Sequence, residues 1–102
     1  MPYFALMYEV VEDFANKRMP FRPAHIKEVR EANARGELVM AGALGEPAGA
    51  LLVFRAGDKS TAEHFAMNDP YVKEGLVKNW KVRPWTVVVG QDPSETPPGL
   101  PT

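Results

Sequence analysis

Strand-sized apolar runs alternate with two helical stretches in a single order along this chain, and that order leaves few folds open. Residues 3–8, Tyr-Phe-Ala-Leu-Met-Tyr, have the aromatic and apolar content of a first strand. Residues 9–19 are a polar link whose apolar island is Val10-Val11. Pro20 and Pro23 introduce a helix that runs to about Arg35, with Pro23 tolerated in the first turn, where its missing N–H has no partner to lose. Gly36 stops that helix, because glycine takes the left-handed conformation a C-terminal stop requires. Ile26, Val29 and Ala32 or Asn33 recur at helical spacing and are expected to face a sheet.

Residues 38–44 and 50–55 read as the second and third strands, joined by the turn Gly45-Glu46-Pro47-Ala48-Gly49. Ser60 or Thr61 can cap a second helix that reaches Asn68, with Glu63 placed for a capping box and Ala62, Phe65 and Ala66 as its apolar stripe. Asp69-Pro70 starts a further helical turn, Asp as cap and Pro at the first position. The fourth strand is expected over residues 82–90, around Trp85-Thr86-Val87-Val88-Val89. The order is therefore β-α-β-β-α-β: an α+β, ferredoxin-like fold with both helices on one face of a four-stranded antiparallel sheet. An open second face should show polar residues at alternate positions. Residues 50–54 and 87–89 are apolar at both, which predicts a homodimer that packs the two sheet faces together.

With 102 residues the chain makes one domain, expected over residues 1–90, followed by a flexible Pro-rich tail over residues 91–102. A net charge of −1 supplies no field for nucleic acid. The apolar runs are too short to span a bilayer, and Met1-Pro2-Tyr3 shows no basic leader, so the expected location is cytoplasmic. The absence of cysteine excludes disulfides, thiolate nucleophiles and Cys-based metal sites.

Among side chains able to carry chemistry, His25 stands out. It precedes Val29 by one turn and points toward the sheet or its rim, and histidine exchanges protons near neutral pH. It needs a carboxylate to fix its tautomer and hold its imidazolium form. Glu9 is the topological candidate, since the end of the first strand lies beside the start of the following helix. Asp69 is the second: it follows Phe65 by four residues on the apolar side of the second helix, although capping alone explains an Asp before Pro. A contact between Asp69 and His25 is expected to need a bend or a partner subunit, the end of the second helix being placed at the far end of the sheet. The plainer reading of His25 is a rim histidine bonded to backbone; His64 is expected to face solvent. Arg18 and Arg22 flank the start of the first helix and Arg83 precedes Pro84-Trp85, all able to hold an anion. Tyr8, Phe21, Trp80 and Trp85 can wall a pocket or fill a core. Two histidines on different helices make no metal cluster, no phosphate loop is present, and Ser60 and Ser94, the only serines, do not suggest a hydrolase triad.

Lys17-Arg18, Arg22-Pro23-Ala24-His25-Ile26, Gly36-Glu37-Leu38 leading to Ala41-Gly42-Ala43-Leu44, Asn68-Asp69-Pro70-Tyr71-Val72 with Gly75-Leu76-Val77, and Trp80-Lys81-Val82-Arg83-Pro84-Trp85 occur in this order. As a set they resemble the YciI-like (YCII-related) family, over nearly the whole chain to Gly90. The resemblance implies a ferredoxin-like fold of the dimeric α+β barrel type and a similarity to small lyases and isomerases of aromatic breakdown, among them a dehydrochlorinase of a chlorinated hydroxyhydroquinone. It also implies a histidine–aspartate centre, carried over to His25 and Asp69. Family members often have Asp at the end of the first strand, where this chain has Glu9. The expected function is a cofactor-free, metal-free lyase or isomerase acting on a small anion. His25, Glu9 and Asp69 are its catalytic candidates, and Arg22, Arg83, Tyr8 and Trp85 its substrate contacts. The alternative is a dimeric module that binds a small ligand without transforming it.

Overall fold

Alternation along the first strand fixes the frame of the molecule. The structure is a computed structural model that describes residues 1–45 and 49–90. In β1 (Tyr3–Val10), Phe4, Leu6, Tyr8 and Val10 are buried on one face, and Ala5, Met7 and Glu9 lie on the other and are less covered. A short helix α1 (Phe14–Lys17) and a 3-10 turn (Met19–Phe21) follow, where the sequence suggested only a link. They lead into α2 (Arg22–Ala34), β2 (Leu38–Leu44), β3 (Gly49–Arg55), α3 (Ser60–Asn68), α4 (Pro70–Lys73) and β4 (Val77–Trp85). The strands form one antiparallel sheet in the order β2-β3-β1-β4, the split βαβ arrangement expected from the sequence.

All helices that meet the core cover the same face. Phe4, Leu6, Leu52 and Phe54 of the sheet meet Ala32 of α2, Ala62, Phe65 and Ala66 of α3, and Tyr71 of α4. Leu6 and Phe54 are fully buried, and burying a side chain of that size stabilises the fold by roughly 1.5–3 kcal/mol. Phe54 and Phe65 lock sheet to helix edge-to-face, ring centres 5.3 Å apart.

Two glycines direct the chain into strands. At Gly36 (φ 80°) and Gly75 (φ 76°) the backbone is left-handed. After each, the next N–H closes back onto the preceding helix, Glu37 N on Ala32 O at 3.1 Å and Leu76 N on Tyr71 O at 2.9 Å. This is the Schellman closure. The second closure starts β4 at Val77, five residues before the position read from the sequence. The fourth strand also ends earlier than expected, at Trp85 rather than Gly90. Trp85 pairs with Tyr3, the first residue of β1, so the β1–β4 ladder closes before Thr86–Val89, the most strand-like stretch by composition. The cap of α3 differs as well: Asp58 accepts the Ser60 N–H at 2.8 Å, and Ser60 is the first helical residue rather than the cap. The tail from Gln91 and most of the Gly45–Gly49 turn fall outside the described residues.

None of the described helices lies over the second sheet face. Met40, Leu44 and Trp85 are 64%, 50% and 44% exposed there, an apolar set that shares the face with Glu9, Arg55, Lys81 and Arg83. None of the described helices is long and apolar enough to cross a membrane.

Candidate active site

His25 lies in the first turn of α2, where Arg22-Pro23 starts the helix. Asp69 ends α3 and caps α4, its Oδ1 accepting the Tyr71 N–H at 3.0 Å. The Asp-Pro-Tyr sequence thus makes the helix start that its residue types call for. The same oxygen lies 2.8 Å from His25 Nδ1, and Oδ2 accepts the Tyr8 hydroxyl at 2.7 Å. Asp69 has no exposed surface, and His25 keeps 14% of its side chain open. The buried carboxyl thus meets three polar partners on its two oxygens, the His25 ring, the Tyr8 hydroxyl and the Tyr71 N–H, as a buried polar group requires.

A carboxylate only accepts, so the short contact puts a proton on His25 Nδ1 and leaves Nε2 as the free basic nitrogen. The ring is also fixed from its face: Tyr71 stacks on it with centroids 3.9 Å apart and planes 15° from parallel. Phe14 in turn meets Tyr71 edge-on at 5.1 Å. The imidazole therefore has one Nδ1 partner and one ring face set by packing, the kind of support a proton-transfer group needs.

Burial, followed by the charge and hydrogen bond of Asp69, pushes the Tyr8 phenol far above its ordinary value and keeps it a donor. Burial also raises Tyr71, an effect that the nearby Arg18 and Arg22 partly oppose. Glu28, one turn after His25 on α2, is raised to about 7, first by burial and then by the Asp69 charge.

Beside this cluster is a cavity of about 280 Å³. Its floor is small, built from Ala41, Ala43 and Ala50 of the sheet, and His25, Tyr8 and Tyr71 form one side. Arg18 and Arg22 stand on its wall. Arg18 lies 5.5 Å from the centre of the Phe14 ring, and its Nε is buried without a hydrogen-bond partner. A donor left unsatisfied in this way suits an anionic group of a ligand. Gly49 closes the cavity on the strand side: a Cβ there would sit 2.6 Å from the Tyr8 carbonyl oxygen.

Of the residues singled out in the sequence, His25, Asp69, Tyr8, Arg18 and Arg22 come together here. Glu9, Arg83 and Trp85 do not. Glu9 follows Tyr8 by one position, so its side chain projects from the opposite sheet face, where it is exposed. Arg83 pairs with Ala5 and Trp85 with Tyr3 on that same face, away from His25. The placement of Asp69 corrects the topology drawn from the sequence. Because β3 runs antiparallel to β1 and ends opposite Tyr3, α3 starts at that end and returns to the Tyr8 end. Asp69 thus reaches His25 within one chain, without a bend or a second subunit. Tyr71, Phe14 and Glu28 were not singled out; the Asp-Pro-Tyr motif held the signal for Tyr71. Among the described residues, no group of three or more His, Asp or Glu side chains is placed to hold a metal ion.

The model of the YCII-related domain matches residues 1–86. Among solved structures, the chain is similar to 5-chloro-2-hydroxyhydroquinone dehydrochlorinase from Burkholderia phenoliruptrix AC1100, solved in complex with 2,5-dihydroxybenzoquinone. The two share a TM-score of 0.71 and 21% sequence identity over 83% of this chain and 94% of that one, a likeness of fold. No protein with a curated description matches the chain in sequence.

Proposed function

The chain belongs to the YCII-related domain family, and from that premise we propose that it is a cofactor-free lyase or isomerase acting on a small cyclic anion. The observation that carries this reading is the 2.8 Å contact between His25 Nδ1 and the buried Asp69 carboxylate, which leaves Nε2 free beside a cavity. In the proposed reaction Nε2 takes a proton from a ring hydroxyl or ring carbon of the substrate. Asp69 supports the imidazolium that forms, as a carboxylate does for a histidine base. Arg22 and Arg18 hold the anionic substituent. For a chlorinated hydroxyhydroquinone, the proton taken from one ring hydroxyl is returned to the chlorine-bearing ring carbon, making it tetrahedral. Removal of a second hydroxyl proton then sends an electron pair through the ring and chloride departs with its bonding pair, leaving a hydroxyquinone. The overall loss is HCl, and no oxidant is needed.

Size and shape support a single-ring substrate. A cavity of about 280 Å³ over an alanine floor accommodates one flat six-membered ring with its substituents. The named substrate of the dehydrochlorinase, whose fold this chain shares, is the first compound to try. The proposed working unit is a homodimer joined through the apolar sheet face that carries Met40, Leu44 and Trp85.

The test is chloride release from 5-chloro-2-hydroxyhydroquinone under anaerobic conditions. The native chain is expected to release chloride, and His25→Ala to lose at least about a hundredfold of the rate, the scale of a lost general base. Full activity in His25→Ala would overturn the assignment of the base. If the native chain binds 2,5-dihydroxybenzoquinone but releases no chloride, the chain is a binding module for such rings and the lyase reading fails.

A further inference from the structure

Glu28 shares α2 with His25 but serves the other side of the cluster. Its Oε1 is buried and has no hydrogen-bond partner, although a buried carboxyl oxygen ordinarily finds one. The group borders a second cavity, also of about 280 Å³, between α2 and α3. Arg35, Glu37, His64 and Asn68 share that wall, and Asn68 is the residue directly before Asp69. Glu28 follows His25 by three positions and so shares its side of α2, and the Asp69 charge that His25 meets directly also reaches the Glu28 carboxyl.

Two carboxyl groups that act on each other through a buried region, one of them fully buried, resist carrying two negative charges together. Asp69 has the donors, so the unpartnered Glu28 is the group that holds a proton. The Asp69 charge is the second cause of its rise to about 7, and Lys73 and Arg35 oppose that rise while Glu31 adds to it. Glu28 in turn adds to the field that keeps the Tyr8 phenol protonated. The titratable or charged groups facing it are thus Tyr8 on β1, Asp69, Lys73 on α4, Glu31 and Arg35 on α2, Glu37, and His64 on α3.

We propose that Glu28 is a positioning residue for the His25–Asp69 pair, a carboxyl that carries either a proton or a charge behind Asp69 and so sets how strongly the pair holds an imidazolium. The proposal rests on the reading of His25 as a base, and it makes Glu28 act through Asp69 without touching substrate. With Glu28 protonated, the cluster behind His25 carries only the Asp69 charge. With Glu28 ionised a second negative charge is added, and the imidazolium formed during proton removal is favoured. The base is then assisted more strongly on the alkaline side of the Glu28 transition.

The experiment needs no substrate at its first step. In ligand-free protein, carbon-13 spectra follow the Glu28 Cδ and the His25 Cε1 across pH, with His64→Gln used to assign the two histidine signals. The Glu28 Cδ is expected to titrate near neutrality, and the His25 signal to show an inflection at the same midpoint. That inflection should vanish in Glu28→Gln and persist, displaced, in Glu28→Asp, while circular dichroism reports an unchanged fold. A Glu28 Cδ that titrates with the ordinary surface glutamates overturns the proposal, as does an inflection that survives in Glu28→Gln. The second step is chloride release. Glu28→Gln should lower kcat about fivefold above neutrality, the scale of a modest loss of general-base assistance, with little change in KM and a smaller effect in acid. Equal loss at every pH overturns the proposal. Positive spectra with no chloride release from the native chain count against the lyase reading alone, and leave the coupling established.

Discussion

Replacing Asp69 by alanine removes a single acceptor on which three elements depend, and the size of the loss can be worked from the contacts. The Tyr8 hydroxyl and the Tyr71 N–H both donate to it, and both residues are at most 5% exposed. Each donor left unsatisfied in that interior costs about 1–3 kcal/mol. His25, more exposed, can exchange its lost partner for water and adds little. Relief of the buried charge itself offsets part of the sum. A net loss of about 2–4 kcal/mol follows, within the ~5–15 kcal/mol that holds a domain of this kind together. The variant therefore folds, and urea unfolding followed by circular dichroism measures the loss. Tyr8→Phe supplies the control. It removes one of the orphaned donors, so the double variant should be more stable than the two single losses added together, by about 1–2 kcal/mol. Strict additivity, or a loss under about 1 kcal/mol for Asp69→Ala, would refute the claim that this carboxylate is the shared acceptor.

The pH dependence of stability tests Glu28 separately. Its folded-state value of about 7 exceeds the usual 4.5, so the folded chain holds that proton more tightly. The resulting stabilisation is complete below 4.5 and lost as pH rises through 7. That interval caps the effect at about 3.4 kcal/mol, and solvent around this partly open carboxyl reduces it to about 1–2 kcal/mol. Urea midpoints should therefore show Glu28→Gln gaining on the native chain by that amount between acid and mildly alkaline pH, and a constant difference would contradict the reasoning. On the open sheet face, Met40→Asp places a charge in the proposed dimer contact and should raise the dimer dissociation constant at least about tenfold, or 1.4 kcal/mol. Sedimentation equilibrium reads this directly, and a native chain that stays monomeric at high micromolar concentration would remove the dimer from the proposal.

Local rules made most of the fold legible. Gly36 and Pro23 bracket α2 within a residue, because a left-handed stop and a proline-tolerant first turn are properties of the residues themselves. The error at the fourth strand has a different origin. Thr86-Val87-Val88-Val89 satisfies every compositional rule for a strand, yet strand length is decided by the ladder, and the pairing of β4 with β1 ends where Trp85 meets Tyr3, the first residue of β1. The Gly75 closure, which releases β4 at Val77, was visible as a glycine but not as a strand start, because Lys78 and Asn79 dilute the apolar signal that follows it.

The site turned on two facts, and the sequence held both. If Leu6 is core, strand alternation sends Tyr8 to the helices and Glu9 to the other face, so a carboxylate at Glu9 could not meet a histidine on a core-facing helix. If β3 is antiparallel to β1, the helix after it must return to the end of the sheet where β1 finishes, which brings Asp69 beside His25. Each step is a parity argument: a change of one residue in register or one reversal in direction moves a side chain to the wrong face or the wrong end. Parity does not give the rest. Stacking of Tyr71 on His25, the unpartnered Arg18 Nε and the orphaned Glu28 oxygen depend on rotamers and on packing among four elements. Those contacts turn a histidine and an aspartate at neighbouring helix ends into a pair whose proton has a defined place.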